Sequence, residues 1–200
     1  MASIETQYPA MEKAAHDHAV APPSPSKHLI LADVVLRFFL FASGVVAVVV
    51  MVTSNQTEIV RLPFPPFPLA HVPAKFRYSP AFVYFVVALS VAGLYGIITT
   101  LVSLYALLKP SCSTKVLYHF VIFDVLLLGI VAAATGAGGA VGYVGLRGNS
   151  HVGWREVCHE YNKYCKHIAG SLVVSLFGSI VLVLLVLLSV YSLSKRIPKY

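Results

Sequence analysis

Two ionisable side chains stand inside apolar runs of this chain. Arg37 lies in the run beginning at Leu31, and Asp124 in the run beginning at Val116. Even lenient insertion scales set the cost of a charge at a helix centre at about 2.5–3.5 kcal/mol. Opposite charges, one per run, can offset that cost by pairing. At about 1.5 Å of rise per residue, the two lie roughly 9 and 12 Å into helices that run in the same direction in a four-span chain. The depths match, and a bidentate arginine–carboxylate contact would satisfy most of both groups. A local alternative stays open for Arg37. Asp33 precedes it by four residues, the favourable spacing for an ion pair on one helix, and an arginine near a helix start can also snorkel to the headgroups. Asp124 has a short side chain, leucine and valine on its C-terminal side, and only Tyr118 and His119 close by. A structural Arg37–Asp124 pair between helices is therefore expected. Intramembrane acids also mark ion and proton paths, so a small channel or transporter subunit using the pair is the alternative. No other span has a proline-broken, half-helix appearance to support it.

A second reactive group lies in one loop. Cys158 and Cys165 are seven apart. On an unbroken helix their Cα atoms would be about 10.5 Å apart, and a disulfide needs roughly 4.4–6.8 Å. Pairing therefore requires a bend, expected around 160–162. His151, His159 and His167 share the loop, so a metal site is conceivable, but zinc ligands come as tight C-x₂₋₄-C pairs. The disulfide is the preferred reading, and no metal or cofactor is expected. Cys112 sits alone in a short turn beside the membrane, a candidate for palmitoylation. Asn55-Gln56-Thr57 forms a glycosylation sequon, close to the end of the first apolar run. No Ser/His/Asp set, phosphate loop or paired-carboxylate constellation appears, so an enzyme is not expected.

The elements that must position these groups follow from composition. The 200 residues are 58% hydrophobic and 12% charged, with mean hydropathy +0.78; a soluble domain carries about 25% charged residues. Four apolar runs, about 31–53, 80–108, 116–146 and 168–194, each exceed the ~20 residues needed to cross hydrocarbon. Backbone groups in lipid must be satisfied internally, so the runs are helices. The expected fold is an all-α membrane protein, a four-transmembrane-helix bundle. Residues 1–30 read as a disordered cytoplasmic tail without the apolar core of a cleavable leader, and 195–200 as a short cytoplasmic tail. The outer loops span about 54–79 and 147–167. In the first, prolines 63, 65, 66, 68 and 73 suggest an extended polyproline-like path. Phe76, Tyr78, Phe82, Tyr84 and Phe85 read as an interfacial belt. Ala92/Gly96, Gly138/Gly142 and Ser171/Ser175/Ser179 form small-residue faces, read first as packing within one bundle.

The net charge of +7 is not gathered on one element, so no nucleic-acid partner is expected. Lysine and arginine divide seven to seven between the two membrane sides. The dense 109–115 turn and the 195–200 tail favour cytoplasmic termini, and paired loop cysteines would put the other side in an oxidising compartment.

Four spans, a lone arginine in the first, a lone aspartate in the third, and GNSHVGWREVCHEYNKYCKHIAGSLVVS at 148–175 resemble the Casparian strip membrane protein (CASP)-like family of plants, related to the MARVEL four-span proteins. The second-loop pattern is Trp154, Cys158, Tyr161, Cys165 and Gly170-Ser171. The resemblance implies a plasma-membrane scaffold that forms homodimers or higher homo-oligomers, and hetero-oligomers with related four-span proteins. It also implies membrane domains that guide local cell-wall modification. It carries the family's arginine and aspartate to Arg37 and Asp124, and its loop cysteines to Cys158 and Cys165. The first outer loop lacks the acidic and aromatic stretch of the founding members. Together with MVTSNQTE at 51–58, this points to a CASP-like relative of subgroup 1 type.

Overall fold

The computed structural model describes residues 27–61, 69–108 and 114–195. Four helices carry the fold: α1 Lys27–Val52, α2 Pro80–Leu108, α3 Thr114–Arg147 and α4 Asn162–Ser194. All four are long and apolar enough to cross a membrane, so the four-span bundle read from the sequence is the observed architecture. The apolar residues divide into two sets. Leu40, Ala47, Met51, Phe85, Val131, Leu182 and Leu185 are buried between helices. Val49, Leu94, Ile98, Leu126, Val173 and Leu187 point outward, where lipid is the solvent.

Local signals explain the boundaries. Pro80 takes the first position of α2, where its missing N–H is not needed, and the Ser79 carbonyl accepts from the N–H groups of Phe82 and Val83 at 3.1 Å. Gly148 ends α3 with φ +62°, and its N–H donates to Val144 O at 2.8 Å, the left-handed cap for which glycine is preferred. A Cβ at this position would meet Trp154 O at 2.6 Å. That closeness belongs to the tight turn in which Asn149 and Trp154 exchange backbone hydrogen bonds.

The loop between α1 and α2 differs from the expectation. Strands β1 Asn55–Arg61 and β2 Leu69–Lys75 pair antiparallel, with Thr57 opposite Pro73. Pro73 is tolerated because a two-stranded sheet is all edge. Prolines 63, 65, 66 and 68 lie outside the described residues, as do the 1–26 tail, Cys112 and the last five residues. The expected aromatic belt is also divided. Phe82 and Phe85 are core residues, while Tyr78 and Tyr84 are exposed.

Small residues set how closely the helices approach. A Cβ on Gly44 would stand 3.6 Å from Gly93 Cα, so α1 and α2 cross nearly backbone to backbone. On α4, Ser171 Oγ donates to Ala47 O of α1 at 2.7 Å. Ser175 Oγ bonds the hydroxyl of Thr135 on α3. Gly178 faces Ser43, whose Oγ would lie 3.0 Å from an added Cβ. The small-residue faces are thus used inside the bundle.

A leucine at Gly178 must push α1 from α4, and we predict that Gly178→Leu destabilises the bundle by about 1–3 kcal/mol. Gly170→Leu lies on the same helix, where an added Cβ meets nothing within 4 Å, and leaves stability near wild type. Thermal unfolding of both variants in one detergent checks this, and equal losses would contradict the packing described.

Candidate functional site

The polar site is built on three helices. Arg37 is completely buried on α1, and Asp124 is completely buried on α3. Arg37 Nη1 and Nη2 donate to Asp124 Oδ1 and Oδ2 at 3.4 and 3.3 Å, a fork meeting both carboxylate oxygens. Arg37 Nε donates to Asp33 Oδ2 at 3.0 Å. The inter-helix and local partners weighed for Arg37 are therefore engaged together. Asp33 Oδ2 also accepts from Ser103 Oγ of α2 at 2.7 Å. The guanidinium carbon lies 4.8 Å from the centre of the Phe120 ring, a cation–π contact that favours the charge in a dry site.

Tyr95 of α2 completes the cluster. Its hydroxyl is buried and lies beside the Asp124 carboxylate and the Arg37 guanidinium. Sequence reasoning named Tyr118 and His119 as neighbours of Asp124 and missed Tyr95 and Ser103. A signal existed: Tyr95, Thr99 and Ser103 recur every fourth residue, a polar stripe along one face of α2. Thr99 is 2% exposed, and its hydroxyl donates to Tyr95 O at 2.8 Å.

What this cluster can do chemically is hold charge. One guanidinium serves two carboxylates, all within one level of the bundle. One turn further along each helix, Leu40 and Leu127 are buried and close the core above it. Among the described residues no three histidine, cysteine or acidic side chains come together as a metal site.

The second cluster lies on the opposite face of the bundle. Cys158 and Cys165 are joined, with Cα atoms 5.6 Å apart. The chain bends because α4 begins only at Asn162. Cys165 is on the helix, Cys158 precedes it, and Tyr161 turns the chain at φ −108°, ψ 51°. The staple sits against the hairpin. Tyr161 Oη donates to Val72 O at 2.8 Å. Gln56 Oε1 accepts from the backbone N–H of Tyr164 at 2.8 Å, and Ser54 Oγ donates to Tyr164 O at 3.3 Å. Burial, with Glu58 and Glu160 nearby, raises the Tyr161 phenol above its ordinary value, which keeps its proton available for that bond. Asn55 lies exposed on β1, with Thr57 on the same outward face. Its Nδ2 donates to Val52 O at 3.4 Å. Asn55 and the disulfide share a membrane face, while Arg37 and Asp124 lie toward the other end of the bundle.

A four-span membrane bundle with one buried charge cluster and a stapled loop describes a class of protein. The Casparian strip membrane protein domain matches residues 26–181, and the chain belongs to that family. CASP-like protein 1D2 of Glycine max is 60% identical over 168 residues, covering 84% of this chain and 85% of that protein. CASP-like protein 1D1 of Populus trichocarpa is 53% identical over 196 residues, 97% and 98% of the two chains. CASP-like protein Ni6 of Beta vulgaris subsp. maritima is 52% identical over 203 residues, the full length of both. No solved structure matches.

Removing the cation leaves two carboxylates facing each other, so Arg37→Ala should lose about 3–5 kcal/mol of stability. Asp124→Asn leaves Arg37 its bond to Asp33 and should lose less, about 1.5–3 kcal/mol. Unfolding of the purified variants ranks them, and the reverse order would remove Arg37 from the centre of the site. The chain has three cysteines. Maleimide labelling of denatured protein, treated with hydroxylamine to free any thioester at Cys112, should count one thiol per chain before reduction and three after. Three thiols without reductant would show that the loop is not stapled.

Proposed function

We propose that the chain is a non-enzymatic plasma-membrane scaffold, with both termini cytoplasmic and both structured loops on the outer side. It associates with itself and with related four-span proteins to organise membrane domains and guide local cell-wall modification. The observation that carries this reading is the division of the bundle. Its buried charges are spent on each other among helices, and among the described residues the loops between helices, the hairpin and the stapled loop, stand together at one end. A disulfide is stable in an oxidising compartment, which supports the outward assignment of that end. Asn55 is then on the side where a glycan would be attached, and Cys112 on the side where palmitate would be.

Self-association has a surface to use. Gly129, Ala133, Gly136 and Ala140 follow one another at three- and four-residue spacing on α3, and all four are exposed. Small residues on a lipid-facing side let backbones approach, and this stripe is separate from the faces that pack the bundle. The channel alternative would need a polar path continuing from Arg37, and the leucines above the cluster speak against one.

Fluorescence recovery after photobleaching of the tagged full chain tests the proposal. A scaffold recovers more slowly and less completely than a single-span marker in the same membrane. Copies carrying two different tags should co-purify, and Gly136→Leu should reduce this, since an added Cβ there meets nothing within 4 Å inside the bundle. Free diffusion with no co-purification would overturn the reading, as would ion flux through the protein in liposomes.

A further inference from the structure

A hollow among the described residues is distinct from the charge cluster. It is a groove of about 780 Å³ where the C-terminal part of α3 meets the start of α4, beneath the disulfide. That is within the roughly 300–1,000 Å³ typical of small-molecule sites. Its floor is apolar and bare: Phe82, Gly139, Gly142, Ile168 and Leu172 line it. A Cβ on Gly139 would meet nothing within 4 Å, so the α3 backbone itself faces open space there.

Depth tells which solvent the groove meets. Gly139 precedes the end of α3 at Arg147 by eight residues, and Leu172 follows the start of α4 at Asn162 by ten. At about 1.5 Å per residue these are depths of roughly 12 and 15 Å, the thickness of one leaflet's hydrocarbon when the whole core is about 30 Å. An apolar groove at that depth opens to acyl chains, not to water.

The mouth adds a charge pattern. Glu156, from the loop, and Lys166, on the first turns of α4, both line it. Both are exposed, and neither forms an ion pair among the described residues. An unpaired cation and an unpaired anion at headgroup level complement a phosphate and an ammonium on one molecule. A sterol hydroxyl would answer neither charge, and a purely anionic headgroup would leave Glu156 opposed.

We propose that this groove binds a zwitterionic glycerophospholipid of the leaflet on the loop side. One acyl chain lies along the Gly139–Gly142 floor, the phosphate meets Lys166, and the ammonium meets Glu156. The lipid becomes part of the bundle's wall beside the stapled loop.

Full-length protein in nanodiscs, with trace photoactivatable phosphatidylcholine, phosphatidylglycerol or sterol, tests this. Phosphatidylcholine should label peptides around 139–146 and 165–172 above other lipid-facing segments, and above the other two probes. Gly139→Leu fills the groove and should reduce that labelling roughly tenfold, while Gly170→Leu, on another face of α4, leaves it unchanged. Lys166→Gln and Glu156→Gln lie outside the core and should abolish the preference for phosphatidylcholine even if Gly139→Leu fails to fold. Labelling spread evenly over the helices would overturn the proposal. So would preference for the sterol or phosphatidylglycerol, insensitivity to the headgroup variants, or crosslinks from this groove to a second copy of the chain.

Discussion

A guanidinium in the middle of a membrane bundle must be answered on every side, and Arg37 is answered from three helices at once. Asp33 on its own helix takes Nε, Asp124 on α3 takes both terminal nitrogens, and Ser103 on α2 holds Asp33. Phe120 covers the flat face. Rotation of α1 or α3 would unpair a buried charge, and rotation of α2 would withdraw the Ser103 hydroxyl from Asp33. The register of α1, α2 and α3 is therefore set at one level by one cation. The fourth helix is attached differently, by Ser171, Ser175 and Gly178 against α1 and α3. Charge specifies the position of three helices, and close packing with neutral hydrogen bonds adds the fourth. In lipid, where apolar surface gains little by meeting apolar surface, both devices are needed.

The opposite end of the bundle faces a different problem. A two-stranded hairpin is marginal alone in water. Here it is fastened to the start of α4 through Tyr161, Tyr164 and Ser54, and the disulfide holds the segment before that start. The residues that mark the family resemblance in this loop therefore have identifiable tasks. Trp154 closes the turn after α3, Tyr161 anchors the hairpin, the cysteines fix the bend, and Ser171 bonds α1.

Much of this was legible in the sequence, and the limits are physical. Run length revealed four spans, because the bilayer fixes a minimum that soluble helices rarely meet. The meeting of Arg37 and Asp124 was inferable because a buried charge leaves few choices. Tyr95 and Ser103 were harder. A tyrosine or serine in a membrane helix costs little, so neither stands out singly, and only their fourfold spacing with Thr99 hinted at a shared face. The hairpin was not read at all. The prolines of that loop argued against regular structure, and the bonds that stabilise β1 and β2 reach residues 89 to 110 positions away. Short-range pattern carries no trace of such partners.

The double pairing of Arg37 also has a consequence in time. Asp124 lies 87 residues after it, and at about 5–20 residues per second the ribosome needs roughly 4–17 s to deliver that distance. During the interval the first helix must already reside at the membrane with its arginine. Asp33 emerges before Arg37 on the same turn-spaced face, so the newborn helix carries its own provisional counter-ion. Asp124 arrives as the permanent partner, and Asp33 stays bound. The order of residues along the chain thus supplies a built-in escort for the most awkward side chain in the protein.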